Sequence, residues 1–222
     1  MSQERWTAVD RYITDALVPE DPVLEAALKA QSEAGLPPIN VAPNQGKLLH
    51  LLAKIQGARK ILEIGTLGAY STIWLGRALP DDGQLLTLEF DLKHAEVAAQ
   101  NLVRAGLDGK VEIRVGRAID TLAKLVEEGA GPFDLVFVDA DKPSTPEYFE
   151  WAMKLTRPGS VIIVDNVVRA GSVVDPGGDA STAGVRRFQE LLGRETRVTA
   201  TAIQTVGVKG YDGFAIALVT GE

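Results

Sequence analysis

The chain has 222 residues, 23 Lys+Arg against 30 Asp+Glu for a formal charge of −7, 45% hydrophobic residues and no cysteine. At about 150 residues per domain the length fits one domain better than two, and it buries enough surface to fold without a disulfide or a structural zinc. The missing thiols exclude disulfide scaffolds, zinc ribbons, iron–sulfur clusters and cysteine nucleophiles, the acidic balance opposes non-specific nucleic-acid binding, and no apolar run approaches the roughly 18 residues of a membrane span.

The first 35 residues predict helix. Trp6, Val9, Tyr12, Ile13 and Leu17 recur at helical spacing until Pro19. Asp21 then caps a second helix with Pro22 at its first position, carrying Val23, Leu24, Ala27 and Leu28. Gly35-Leu36-Pro37-Pro38 breaks the pattern, and a third helix runs from about Pro43 to Ile55. From Lys60 on, short β-rich runs at 61–64, 85–88, 111–115, 133–138 and 161–164 alternate with helical stretches at about 70–79, 92–105, 117–128 and 145–155. That alternation predicts an α/β fold, a parallel sheet with helices on both faces. A Gly/Pro-rich loop follows Asp165, then a helix at about 181–192 and two strands at about 197–204 and 213–219. With no crossover helix between them, these last two should pair antiparallel. No repeat, charge block or low-complexity tract divides the chain. We read 1–57 as a helical layer, lid or interface and 58–222 as the core of one domain. The N-terminus has no basic stretch followed by an apolar core, so a cytoplasmic protein is expected.

Two motifs carry chemistry. The first strand ends in Glu63-Ile64-Gly65-Thr66-Leu67-Gly68-Ala69-Tyr70-Ser71. The second glycine of a dinucleotide fingerprint, which lets a pyrophosphate approach, is replaced by Thr66-Leu67. Glu63 would repel phosphate and suits an ammonium or a hydroxyl. Glu89 ends the second strand 24 residues after Gly65, where an acid can take ribose hydroxyls. A nucleoside with a cationic amino-acid tail and no phosphate fits, which describes S-adenosylmethionine.

The second motif is Asp139-Ala140-Asp141-Lys142 after the fourth strand and Asp165-Asn166 after the fifth. Adjacent parallel strands would bring Asp139, Asp165 and Asn166 together as an all-oxygen site for a hard cation, Mg²⁺ first, with Ca²⁺ or Mn²⁺ as substitutes. Taken singly, each residue reads as a helix cap or turn former, and it is the three together that point to a cation. Lys142 is either a general base beside the cation or a surface lysine paired with Asp141. His50 reads as a helix-face residue and His94 as first-turn surface, both outside the motifs. Trp6, Trp74 and Trp151 read as core or interface.

From about Val41 to Val219 these motifs resemble the small cation-dependent O-methyltransferases, the caffeoyl-CoA and catechol O-methyltransferases and their bacterial relatives. The resemblance implies a Rossmann-like sheet of seven strands with the last antiparallel. It implies S-adenosylmethionine contacts at Val41, Glu63, Gly65, Tyr70, Ser71, Glu89, Ala118 and Asp139, a divalent metal on Asp139, Asp165 and Asn166, and Lys142 as base. It also implies a homodimer and a small phenolic acceptor with vicinal oxygens. The chain departs from many relatives in carrying Val168-Arg169 where a bulky Leu-Trp walls the acceptor site, and Pro143-Ser144-Thr145-Pro146 stiffens the rim. Arg169 could face an anionic group or solvent. The rival readings are a tRNA methyltransferase using a basic surface of Arg169, Arg186, Arg187 and Arg194, a non-catalytic nucleoside-binding module, and, more remotely, a nicotinamide dehydrogenase.

Overall fold

The computed structural model describes Ser2–Gly221; Met1 and Glu222, the outer ends of the two expected segments, lie outside the described residues. Among the described residues, eight α-helices and seven strands follow the expected order. They are α1 Gln3–Leu17, α2 Pro22–Glu33, α3 Pro43–Gln56, β1 Lys60–Ile64, α4 Tyr70–Gly76, β2 Gln84–Glu89, α5 Leu92–Arg104 and β3 Val111–Val115. Then come α6 Ala118–Glu127, β4 Leu135–Val138, α7 Thr145–Lys154, β5 Val161–Asp165, α8 Ala180–Arg194, β6 Val198–Gly207 and β7 Gly210–Val219. The sheet order is β3-β2-β1-β4-β5-β7-β6, parallel through β5, with β7 antiparallel to both neighbours.

Strand alternation sorts the core into two layers. Ile61, Leu85, Leu135, Phe137 and Ile163 face α2–α5, with Leu24, Leu49, Ile73 and Leu102 packed on them. Leu62, Ile64, Leu88, Val136 and Val164 face α6–α8, with Leu122, Phe149, Val185 and Phe188. The N-terminal helices therefore share the sheet's own core through α2 and α3. The α1 helix has no buried residue and leaves Val9 and Tyr12 exposed. No helix among the described residues is long and apolar enough to cross a membrane.

Asp21 caps α2 as its spacing predicts, its Oδ1 accepting from the backbone N–H groups of Val23 and Leu24. Three boundaries differ from expectation. The α4 helix ends at Gly76 rather than near 79. The β4 strand starts at Leu135 rather than 133, because Phe133 N–H donates to Leu155 O, outside the strand ladder. The last two strands are longer and close in a tight hairpin, Gly207 facing Gly210. Short 3₁₀ turns at Lys142–Ser144 and Arg169–Val174 fall in segments with no periodicity to signal them.

Candidate active site

The strand order reverses direction between β1 and β4, and in open α/β sheets the crevice outside that switch point receives ligands. Here Gly65 and Asp139 leave the two strands side by side. A Cβ on Gly65 would lie 2.3 Å from Asp139 O, and its φ is +105°, so only glycine permits this approach. Leu67 and Ala69 also adopt left-handed backbone, φ +50° and +67°, curling the turn into the start of α4.

A cavity of about 820 Å³ opens there. Val41, Gly65, Tyr70, Ser71, Glu89, Ala118, Asp139, Lys142 and Asn166, nine of the residues singled out from sequence, line it. Two do not. Glu63 is completely buried beneath the floor, because alternation turns it to the same face as Ile61, toward the first turn of α4. Its Oε1 accepts from Ser71 Oγ at 2.7 Å, and its Oε2 from Thr87 Oγ1 at 2.7 Å and from Thr72. Glu63 thus does not line the cavity itself and is linked to it through Ser71, which does. Burial, aided by the nearby Asp139 charge, pushes its pKa up to about 7 despite the three hydroxyl donors. Asp165 lines a second cavity of about 280 Å³, to which Asn166 also belongs.

Glu89 faces the cavity, but its carboxylate also holds the glycine turn. Oε2 accepts from the N–H groups of Thr66 at 3.2 Å and Leu67 at 2.8 Å, and Oε1 from Asp91 N at 2.9 Å. His94 Nδ1 stands 3.5 Å from Glu89 Oε1 and lines the cavity, so it is not the plain surface residue its position suggests. The helix cap brings it there, since Asp91 Oδ1 accepts from Lys93 N and His94 N. His50, by contrast, lies along α3 against Trp74, with Nδ1 3.1 Å from Trp74 O.

The second motif assembles across β4 and β5, whose register pairs Val138 with Val164. Lys142 is 9% exposed, and its Nζ donates to Asp139 Oδ1 at 2.8 Å. The alternative of a surface lysine on Asp141 is therefore overturned. Asp141 instead caps the 3₁₀ turn through Ser144 N and accepts from Tyr148 Oη. The α8 helix presses on this turn at Gly184, where a Cβ would fall 2.2 Å from Lys142 O. Asp165 Oδ2 accepts from Gln45 Nε2 at 2.6 Å and Oδ1 from Asn166 N at 2.8 Å. Burial and the Asp139 charge push Asp165 up to about 7, with Lys142 opposing. Asn166 takes a left-handed backbone, φ +58°, tolerable for asparagine, and its side-chain amide makes no hydrogen bond to the described residues. Gln45 escaped sequence reading because it lies 120 residues from Asp165.

Two of the four arginines of the nucleic-acid alternative are engaged in the fold. Arg186 donates to the carbonyls of Val173 and Ser172 at 2.9 and 2.7 Å and to those of Gly177 and Asp175, and Arg187 to Pro143 O at 3.0 Å.

A turn without the pyrophosphate glycine, acids at three strand ends and a cavity at the switch point define an α/β enzyme that takes a nucleoside cosubstrate. The family model described as O-methyltransferase matches residues 14–218, most of the chain. The chain is 55% identical over 220 residues to a catechol O-methyltransferase of Niastella koreensis, covering 99% of this chain and 100% of that one. It is 52% identical to a catechol O-methyltransferase of Mycobacterium tuberculosis, covering 95% and 94%. An O-methyltransferase from Bacillus cereus solved with SAH superposes with a TM-score of 0.97 at 55% identity, covering 99% of this chain and 100% of that one. The chain belongs to the O-methyltransferase family and is an S-adenosylmethionine-dependent enzyme of that class.

Proposed function

We propose that the enzyme methylates a hydroxyl of a small catechol-like acceptor with vicinal oxygens, with the help of a divalent cation, Mg²⁺ first. The observation that carries this reading is the convergence of Asp139, Asp165 and Asn166 at the ends of adjacent strands, with Lys142 on Asp139 at the cavity wall. The relatives named catechol O-methyltransferase support it.

The residues fit a cation. The Asp139 charge acts on both Glu63 and Asp165, and Lys142 opposes it at Asp165. Burial first, with the Asp139 charge added, pushes Glu63 and Asp165 up to about 7, and a divalent ion beside them would offset that charge. Among the described residues there is no group of three His, Cys, Asp or Glu poised for a metal, so Asn166 would be the third ligand. An all-oxygen set suits Mg²⁺, Ca²⁺ or Mn²⁺. When bound, the cation supplies Lewis acidity, which lowers the pKa of a hydroxyl and anchors the neighbouring oxygen.

The chain's own groups do the rest. Val41, Tyr70 and Ala118 wall the nucleoside and Glu89 faces its ribose. Ser71 presents a hydroxyl oriented by Glu63. Lys142, its Nζ held at the cavity wall by Asp139, is the group that would take the acceptor's proton. Holding nucleophile, methyl and sulfur in line supplies much of the rate gain.

Asp165→Ala and chelation each test this reading. Turnover of catechol should fall with EDTA and return with Mg²⁺, whereas rates indifferent to both overturn the cation. A homodimer belongs to the same proposal. The β6 strand is an open edge with residues 199–206 exposed, and Tyr12, Leu51, Ile55, Ile203 and Leu218 are exposed apolar side chains. A monomer in sedimentation at micromolar concentration would refute it.

A further inference from the structure

Arg169 lines the same cavity as Asn166 and Lys142. Its side chain is only 30% exposed, yet its guanidinium makes no hydrogen bond to the described residues. The buried Nε has no partner, and the one ion pair, Nη1 to Asp212 Oδ2, is 3.8 Å long. Guanidinium is always charged and carries five donors, so leaving it half-buried and unbonded is unfavourable unless a ligand completes it. It is held there by backbone rather than by its own side chain. Asp212 Oδ1 accepts from the N–H groups of Val168 at 2.9 Å, Arg169 at 3.0 Å and Gly213 at 3.0 Å. That clamp holds Arg169 and Ala170 in consecutive left-handed conformations, φ +55° and +53°, which non-glycine residues rarely adopt. Asp212 thus steadies the guanidinium without occupying its donors, and Asp179 at the α8 N-cap is the other acid whose charge it meets.

We propose that Arg169 is a specificity-determining residue that receives a carboxylate on the acceptor. The preferred substrates are then catechols bearing an anionic side group, dihydroxybenzoates or dihydroxycinnamates, over neutral or cationic catechols. The planar fork of guanidinium matches the two oxygens of a carboxylate, and a wall aromatic in its place could not do this. The inference rests on the catechol reading above.

The test compares kcat/KM for 3,4-dihydroxybenzoate, catechol and dopamine in the native enzyme, Arg169→Ala and Arg169→Lys. Alanine keeps the Cβ, so the left-handed backbone is no worse strained than at the native Ala170. The native enzyme should favour the benzoate. Arg169→Ala should lower its kcat/KM about 10- to 100-fold, mainly through KM, while catechol changes less than about 3-fold. Arg169→Lys should recover part of the loss, and affinity for S-adenosylhomocysteine should be unchanged. Equal losses on benzoate and catechol, no loss at all, or a parallel loss of S-adenosylhomocysteine affinity overturn the role of Arg169 and leave the catechol reading standing. No turnover of any of the three by native enzyme that binds S-adenosylhomocysteine overturns both.

Discussion

Glu63 offers a measurement in which burial and charge oppose each other. Its carboxyl is fully buried and receives three hydroxyl donors, but desolvation wins and raises its pKa from 4.5 to about 7. The difference, 7 − 4.5 = 2.5 units, corresponds to about 3 kcal/mol. In the unfolded chain the group ionises near 4.5, whereas in the native chain it keeps its proton to about 7. Between those values the native state binds the extra proton, so stability is fully present below the lower value and falls as pH rises through the window. Glu63→Gln keeps the size and an acceptor oxygen for the hydroxyls but removes the titration. Urea unfolding of both proteins in metal-free buffer, at several pH values across the window, isolates the group by subtraction, since Asp165 is present in both. The variant should gain about 3 kcal/mol relative to the native enzyme on going from the bottom of the window to the top. A difference constant with pH within about 0.5 kcal/mol, or a native enzyme that gains on the variant as pH rises, refutes the reasoning.

Three further outcomes follow from the same geometry. Lys142→Ala should lower kcat by about 10² to 10⁴ with S-adenosylhomocysteine affinity nearly unchanged, as expected for loss of a base; calorimetry beside steady-state kinetics separates this from a collapsed pocket, which would weaken both. Gly65→Ala should cost about 2 kcal/mol or more of stability and weaken S-adenosylhomocysteine binding, since its Cβ would meet Asp139 O at 2.3 Å in a φ +105° conformation; a variant with native midpoint and affinity would show that the turn can shift. Asp165→Asn should abolish Mn²⁺ binding measured by electron paramagnetic resonance, yet stabilise the metal-free protein above about pH 7, because it removes a carboxylate whose ionisation burial opposes. Retained Mn²⁺ affinity would remove Asp165 from the site.

Much of this was legible because the relevant signals are local. Alternating apolar runs and helical spacing give the parallel sheet, and the absence of a crossover before the last strand gives its antiparallel pairing. Site residues next to a strand end were also legible, since topology alone brings Gly65, Asp139 and Asn166 to one crevice. What escaped depends on side-chain direction or on distant partners. Glu63 is adjacent to the glycine turn in sequence, but the pleat turns it beneath the floor. His94 enters the cavity only because Asp91 starts α5 where it does. Lys142 chooses Asp139 over its immediate neighbour because Asp141 is committed to capping. No period or spacing connects Gln45 with Asp165, or Asp212 with the backbone of Arg169.

The acidity of the chain takes on a different meaning at the crevice. Four acids lie at or beside strand ends, but they are not equivalent. Glu89 is stabilised as a structural acceptor by backbone N–H groups of the turn it shapes. Glu63 is screened by hydroxyls and acts through Ser71. Asp139 carries the only ammonium, Lys142, and Asp165 has an amide and a backbone N–H in place of a counter-ion. Negative charge is therefore least compensated at Asp165, which also faces the charge of Asp139. A cation bound there would act where two carboxylates oppose each other, beside Lys142. A sulfonium bound in the cavity that Gly65 and Asp139 line would be drawn to the same field. One electrostatic arrangement would thus favour a sulfonium and a divalent cation alike, and by linkage each would stabilise the native chain only to the extent that it binds it.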